Sequence, residues 1–117
     1  MPTQIYHNPR CSKSRTTLQL LEDQHDLDIE IIQYIDTPPD AATLLNICQQ
    51  LGKHPLEVMR CHEAPFKAQG LSKSDQRSEA EWCAIMVANP ILIERPIVLH
   101  NGQAAIGRPP ESVLAIL

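Results

Sequence analysis

Aromatic residues and positive charge are both scarce in this sequence. Only 3% of its 117 residues are Phe, Trp or Tyr, and the formal net charge is −4. Nucleic-acid-binding proteins usually carry a positive surface, and many stack bases on aromatic side chains. The composition therefore argues against binding to nucleic acid, although it leaves room for a local cationic pocket.

Long apolar segments are absent as well. The apolar runs extend over only a few residues, which is too short to cross a bilayer. The first ten residues, MPTQIYHNPR, do not show the charged and then apolar pattern of a signal peptide. We therefore expect no membrane contact and a cytoplasmic location.

The cysteines form no recognisable framework. Cys11, Cys48, Cys61 and Cys83 are widely spaced, contain no CxxC pair, and have no histidines at zinc-site spacing. We expect free thiols and no metal, because a chain of this length with 43% apolar residues can fold without such links. Residues 1–117 are predicted to form a single domain.

The order of predicted elements gives the fold class. A buried strand at residues 4–6 is followed by a helix at about 13–24, and an isoleucine-rich strand at 28–35 implies a right-handed parallel crossover. A helical block comes next. Its predicted helices are one of about ten residues from Asp40 to the stop at Gly52, one at 55–60, and one from the cap Ser78 to Ala88.

The last third predicts a hairpin and a closing helix. A strand at 96–99, the turn Asn101-Gly102 and a return strand at 104–106 precede a helix that starts at Pro109-Pro110. The order is βαβ, helices, then ββα. It predicts an α/β, thioredoxin-like fold in which a small mixed four-stranded sheet is flanked by helices and interrupted by a helical insertion at about 38–88.

Cys11 stands out from the other thiols because it lies where a strand passes into a helix. The N–H groups and the dipole at a helix N-terminus favour anions, and they favour a thiolate over a thiol. Arg10, Lys13, Arg15 and His7 surround this position in the sequence. The pattern indicates a nucleophilic thiolate beside an oxyanion site; the alternative is a structural cysteine in a loop that is basic by chance.

Two related classes do not fit this loop. Tyrosine-phosphatase-like loops place an arginine six residues after the cysteine, where this chain has Thr17. A redox CxxC would need a cysteine at position 14, which is Ser14.

The loop from His7 to Arg15, HNPRCSKSR, resembles the active-site loop of the glutaredoxin-linked arsenate reductase family. Further matches follow in the same order along nearly the whole chain: Met59-Arg60, Ala64-Pro65-Phe66, Gly70-Leu71, residues 89–98 (NPILIERPIV), and Gly107-Arg108-Pro109. Together these motifs are highly specific. Pro96 matches a proline that is typically cis in thioredoxin-like folds.

This resemblance implies a role for each matching residue. Cys11 would attack arsenate, His7 would help to lower the pKa of Cys11, and Ser14 would form hydrogen bonds nearby. The substrate-binding residues would be Arg60, Arg95 and Arg108, whose side chains can each donate two hydrogen bonds to an oxyanion. Taken singly, each of the three could instead be an ordinary solvated arginine.

The resemblance further implies that glutathione and glutaredoxin resolve a Cys11 thiol–arsenate adduct and release arsenite. Glutathione would be a co-substrate, and no metal or bound organic cofactor is expected. The short sequence after the Arg-Pro motif, and Ser12-Lys13 after the cysteine, resemble a chromosomal subgroup of the family. Arsenate is therefore an expected substrate, without being the expected main one.

Two alternative functions remain at this point. One is a non-enzymatic regulator of the same fold that binds RNA polymerase, and the other is a general glutathione-dependent thiol reductase. Among the remaining thiols, Cys48 and Cys83 are expected in the core. Cys61, next to Arg60, is a candidate for an internal resolving role.

Overall fold

The computed structural model describes residues 2–117. Its strands are β1 (Thr3–Tyr6), β2 (Ile29–Ile32), β3 (Ile97–His100) and β4 (Gln103–Ile106). Its α-helices are α1 (Ser12–Glu22), α2 (Ala41–Leu51), α3 (Pro55–Val58), α4 (Ala64–Ala68) and α5 (Glu79–Ala88). Two 3₁₀ helices cover Pro90–Leu92 and Pro110–Ile116.

The chain divides into two compact units. The first, here called the sheet unit, runs through Thr37 and resumes from Arg95 to Leu117. The second, the helical unit, is Pro38–Glu94, whereas the sequence placed the insertion at about 38–88. Within residues 2–117, every helix is too short or too polar to span a membrane.

The sheet unit contains one four-stranded mixed sheet with the strand order β2-β1-β3-β4. β1 and β2 are parallel, so that Ile5 lies opposite Ile31, while β3 is antiparallel to both β1 and β4. The turn between β3 and β4 has positive φ angles of 50° at Asn101 and 78° at Gly102, as a two-residue hairpin requires. The predicted fold class, with its parallel crossover and C-terminal hairpin, is confirmed.

The core of the sheet unit lies between the sheet and the helices beside it. Ile5 of β1, Leu21 of α1, Val98 of β3 and Val113 are fully buried and in contact. α1 thus packs through its inner face, and the same packing fixes its N-terminus near the carboxyl end of β1. This end of α1 carries the candidate nucleophile.

Helices α2 and α5 of the helical unit have the cap residues that the sequence predicted. The Asp40 carboxylate accepts the Thr43 N–H at 2.7 Å, and Gly52 ends α2 in the left-handed conformation at φ 68°. Ser78 and Glu81 form a reciprocal capping box at the start of α5. Large buried side chains of this unit include Leu44, Ile47, Val58, Trp82, Met86 and Leu92.

Several element boundaries differ from the sequence prediction. β2 has four residues rather than eight, because its partner β1 is itself only four residues long and the ladder cannot extend further. α4 and the 3₁₀ helix at Pro90–Leu92 were not predicted, since five and three residues are too few to show a helical period. The closing helix has 3₁₀ geometry over seven residues, Pro110–Ile116, which is longer than most 3₁₀ helices.

Candidate active site

Cys11 is the N-cap residue of α1. Its backbone is extended (φ −98°, ψ 123°), and the chain turns between β1 and α1 through a hydrogen bond from the Cys11 N–H to the Asn8 carbonyl at 3.0 Å. The thiol makes no capping hydrogen bond of normal geometry. The N–H groups of Ser14 and Lys13 nevertheless interact with it and favour the thiolate. A partly exposed sulfur is thus held at the positive end of the helix.

Two arginines from the other end of the chain complete the surroundings of the sulfur. Arg108 Nη2 lies 3.8 Å from Cys11 Sγ and donates to it, and Arg108 Nε donates to the Arg95 carbonyl at 2.8 Å. The Arg95 side chain is a second donor to the thiol. The Arg95–Pro96 peptide bond is cis, as the resemblance implies, and so is the Arg108–Pro109 bond.

These groups change the acidity of the thiol. Burial by itself raises the pKa of Cys11, but the Ser14 N–H, the Arg95 side chain, the Lys13 N–H and the charge of Arg108 together outweigh it. As a result, the pKa of Cys11 lies below the ordinary value for a thiol. A lower pKa increases the fraction of thiolate near neutral pH, and the thiolate is the nucleophile.

His7 and Ser14 form a buried pair behind the loop. His7 Nδ1 and Ser14 Oγ are 2.7 Å apart, and Ser14 Oγ also accepts the Asn8 N–H at 3.0 Å. Burial and the nearby charge of Arg15 lower the pKa of His7, with a smaller opposing effect from Glu22, and this favours the neutral imidazole. The groups that lower the pKa of Cys11 do not include this ring. A direct effect of His7 on the thiol therefore stays a prediction, and its observed contact is with Ser14.

The sequence did not reveal a close approach at Gly107, the residue before Arg108. A Cβ placed on Gly107 would collide with Thr17 Oγ1 and would lie 2.7 Å from Pro96 Cγ. Glycine is therefore needed here because helix α1 and Pro96 approach the backbone just before Arg108. The Gly-Arg-Pro motif drew attention to the arginine, but only the contact explains its glycine.

Arg60 belongs to the helical unit, where two carboxylates hold it. Nη2 lies 3.1 Å from Glu63 Oε1, Nη1 lies 3.2 Å from Glu94 Oε1, and the side chain is 13% exposed. Burial alone would lower the pKa of Arg60, but Glu63 and Glu94 raise it. The predicted contact between Arg60 and an oxyanion stays a prediction, and these two acidic partners were not anticipated.

The arrangement in the sheet unit can perform nucleophilic chemistry on an anion. The Cys11 sulfur is partly exposed, the two arginines donate hydrogen bonds to it, and the helix N-terminus adds a positive field that favours the thiolate. Within residues 2–117, no group of three or more His, Cys, Asp or Glu side chains is arranged to hold a metal ion.

Comparison with known proteins identifies the family. The ArsC family model matches residues 6–116. The chain belongs to the ArsC family. It is 51% identical to the uncharacterized protein YfgD of Escherichia coli strain K12, over 97% of this chain and 94% of that protein.

Relatives with a named activity are nearly as similar. An arsenate reductase of Neisseria meningitidis serogroup A is 45% identical, covering 97% of this chain and 96% of the relative. The structure of an arsenate reductase from Vibrio cholerae superimposes with a TM-score of 0.92 at 49% identity, covering 100% of this chain and 98% of that one. The resemblance inferred from the motifs is therefore confirmed at the level of the family.

The remaining cysteines of this ArsC family member differ from Cys11. Cys48 and Cys83 are fully buried, which confirms their predicted place in the core, and burial followed by the proximity of Cys83 raises the pKa of Cys48 to about 12. Cys61 is partly exposed and donates to the Met59 carbonyl at 3.7 Å. Burial raises the pKa of Cys61 despite the opposing charge of Lys73. A resolving role for Cys61 stays a hypothesis.

Proposed function

We propose that this protein reduces arsenate to arsenite, with Cys11 as the nucleophile. The observation that carries the proposal is the position of Cys11 Sγ at the N-terminus of α1, 3.8 Å from Arg108 Nη2, with a lowered pKa. Arsenate is a tetrahedral anion, and such a site both attracts it and ionises the attacking thiol. The similar proteins from Neisseria meningitidis and Vibrio cholerae are named arsenate reductases, which supports this choice of substrate.

In the proposed reaction, the Cys11 thiolate attacks arsenic, and an arsenate oxygen leaves as water to give a thiol–arsenate adduct. Glutathione replaces a second oxygen on arsenic, again with release of water. A glutaredoxin thiolate then attacks the glutathione sulfur and forms a glutaredoxin–glutathione disulfide. The As–S bond to glutathione breaks, and its electron pair reduces arsenic from +5 to +3 as the two thiols are oxidised. Hydrolysis of the remaining bond frees Cys11 and arsenite. Glutathione enters as a co-substrate, and the proposal requires no bound metal or organic cofactor.

The contacts of each residue indicate its role in the proposed reaction. Arg108 and Arg95 donate to the sulfur before the reaction, and the same donors would stabilise charge on the arsenate oxygens once the S–As bond forms. Ser14 and His7 hold the loop that presents Cys11, through the hydrogen bonds at 2.7 and 3.0 Å. Arg60, whose guanidinium contacts Glu63 and Glu94 within the helical unit, stays a predicted third oxyanion ligand.

The test is arsenite production from arsenate with glutathione and glutaredoxin, comparing the wild type with Cys11→Ser and Cys61→Ser. Cys11→Ser should lose activity by about a thousandfold or more, because a hydroxyl is not ionised at neutral pH. Cys61→Ser should keep most of it and serves as the matched control. Circular dichroism establishes that each variant is folded.

The outcomes separate the rival functions. Glutathione-disulfide reduction without arsenite formation would favour the general thiol reductase. No activity from folded, reduced wild type would contradict arsenate reduction and return attention to the polymerase-binding regulator. A regulator with a redox CxxC pair would need a second thiol at position 14, but this chain has Ser14 there, and its buried hydroxyl interacts with His7.

A further inference from the structure

Charge in the sheet unit is strongly segregated. Its five Lys and Arg residues are Arg10, Lys13, Arg15, Arg95 and Arg108. The first three lie within four residues of Cys11 in sequence, and the last two donate to its sulfur. The first carboxylate in the chain is Glu22, so the whole segment through Leu21 contains no acidic residue. A unit that belongs to an acidic protein therefore presents a positive field at its one reactive thiol.

The five cations are not equivalent. Arg95 and Arg108 donate to the Cys11 sulfur, and Arg15 Nη1 donates to the Pro9 carbonyl at 2.8 Å. The side chains of Arg10 and Lys13 are exposed and make no hydrogen bond or ion pair with any residue between 2 and 117. Two cationic side chains close to Cys11 in sequence are thus exposed to solvent and stabilise no contact within residues 2–117.

Their position matters for the second stage of the reaction. An oxyanion is small and is served by the donors that already touch the sulfur, whereas a thiol co-substrate must approach the adduct from outside. Glutathione carries two carboxylates and one ammonium group, so its body is an anion. Charged groups around an entrance raise the rate of encounter with an oppositely charged reactant, and they do so less as salt is added.

We propose that Arg10 and Lys13 form the docking surface for the anionic thiol co-substrate, glutathione, at Cys11. The proposal rests on the proposed function for the identity of the co-substrate. Because it concerns the approach of a charged thiolate to Cys11, it can be tested in a reaction that contains no arsenic. Neither side chain is among the groups that lower the pKa of Cys11; for Lys13 it is the backbone N–H that does so.

The experiment uses full-length protein in a Cys61→Ser background, so that Cys11 is the only accessible thiol among residues 2–117. Cys11 is converted to its mixed disulfide with 2-thiopyridine, a neutral leaving group. An added thiolate attacks the Cys11 sulfur, a new disulfide forms, and pyridine-2-thione leaves with the electron pair and is measured by absorbance. The attacking thiols are glutathione, its diethyl ester, which lacks both carboxylate charges, and neutral 2-mercaptoethanol.

In low salt, Arg10→Ala/Lys13→Ala should slow attack by glutathione about tenfold, the effect of removing two nearby screened charges. The same variant should change the rate with 2-mercaptoethanol less than twofold, and the preference for glutathione over its diethyl ester should collapse. Added salt should erase the difference between wild type and variant. Lys53→Ala/Lys67→Ala, an equal change of charge on exposed residues of the helical unit, is the control and should behave as wild type.

An unchanged rate with glutathione in the double variant would overturn the proposal, as would an equal loss with all three thiols, which would indicate a general change at Cys11. The result is independent of arsenate reduction. If no arsenite is produced but the double variant still reacts more slowly with glutathione than the wild type, the docking surface is supported and the substrate assignment is rejected. If arsenite is produced but the double variant reacts with glutathione as fast as the wild type, only the docking surface is rejected.

Discussion

Cys11 and Cys61 are both partly exposed cysteines in loops, and yet their pKa values move in opposite directions. Burial raises the pKa at both sites. At Cys11, two backbone N–H groups and two arginine side chains outweigh that effect. At Cys61, the thiol instead donates to a carbonyl oxygen, and the charge of Lys73 is too weak to outweigh burial.

The comparison shows that exposure alone does not make a cysteine reactive. A thiolate needs donors aimed at the sulfur, and a helix N-terminus with arginines beside it supplies them. The arginine that neighbours Cys61 in sequence does not play this part, because Glu63 and Glu94 already bind the Arg60 guanidinium. The same residue type is thus directed at a sulfur in one unit and at carboxylates in the other.

The largest expected effect is the contrast in alkylation itself. At pH 7, iodoacetamide should modify Cys11 more than about tenfold faster than Cys61, because the rate follows the thiolate fraction. The lowered pKa of Cys11 means that its rate reaches a plateau at lower pH than that of an ordinary thiol, whereas the rate at Cys61 still rises above that pH. The ratio should therefore be largest in mildly acidic solution and shrink in alkaline solution.

Mass spectrometry of peptides after timed alkylation measures both rates in one sample. The buried Cys48 and Cys83 should stay unmodified in the native protein and serve as internal controls for folding. Equal rates at Cys11 and Cys61 across the pH range would contradict the account of the site.

A smaller effect is expected from Arg108→Ala, which removes one of the cations that distinguish the two thiols. The pKa of Cys11 should rise, because the thiolate loses a donor at 3.8 Å, and alkylation at pH 7 should slow several-fold, up to about tenfold. Arg77→Ala, which removes an arginine from the helical unit, should leave the rate at Cys11 unchanged. A rate in Arg108→Ala equal to wild type would show that the helix N–H groups and Arg95 suffice without Arg108.

The smallest effect is expected from a change in the packing of Gly107, the residue before Arg108, against Thr17 and Pro96. Gly107→Ala should lower the free energy of unfolding by about 1–3 kcal/mol, since the new methyl group collides with Thr17 and Pro96, and it should slow alkylation of Cys11 a few-fold. Urea denaturation measures the first effect and timed alkylation the second.

Thr17→Ala in the same chain should recover part of both losses, because Thr17 provides two of the three close atoms. The double-mutant cycle should therefore show a favourable coupling between positions 17 and 107. Gly70→Ala is the matched control: its surroundings are open, and its cost comes from a φ of 66°, so it should show no coupling to Thr17. Additive losses at positions 17 and 107 would contradict a direct contact.

Local signals in the sequence located most of the secondary structure. Asp40 and Gly52 delimit α2, Ser78 begins α5, and Asn101-Gly102 forms the hairpin turn, because caps and turns depend on residues within a few positions of one another. The short elements α4 and Pro90–Leu92 escaped prediction for the opposite reason, since they contain too little sequence to show a period.

The candidate site was predictable only in part. Cys11 could be singled out from its own neighbours, because the helix that follows it and the cations around it are local features. The roles of Arg95 and Arg108 came from the family resemblance, and no local rule reports that Arg108 meets a sulfur 97 residues away. Of the two partners of Arg60, Glu94 was missed because it is distant in sequence, whereas Glu63 is only three residues away. Nothing in the motif distinguishes a guanidinium that binds substrate from one that binds carboxylates.

The sequence by itself determined the order of elements, the end of α1 at which a thiol would be activated, and membership of the ArsC family. The tertiary structure decided which arginines touch the thiol, why residue 107 is glycine, and which of two partly exposed cysteines has the lowered pKa. The physical reason is that capping, turns and helix fields act over a few residues. Contacts between charged side chains depend instead on where the sheet brings distant segments together.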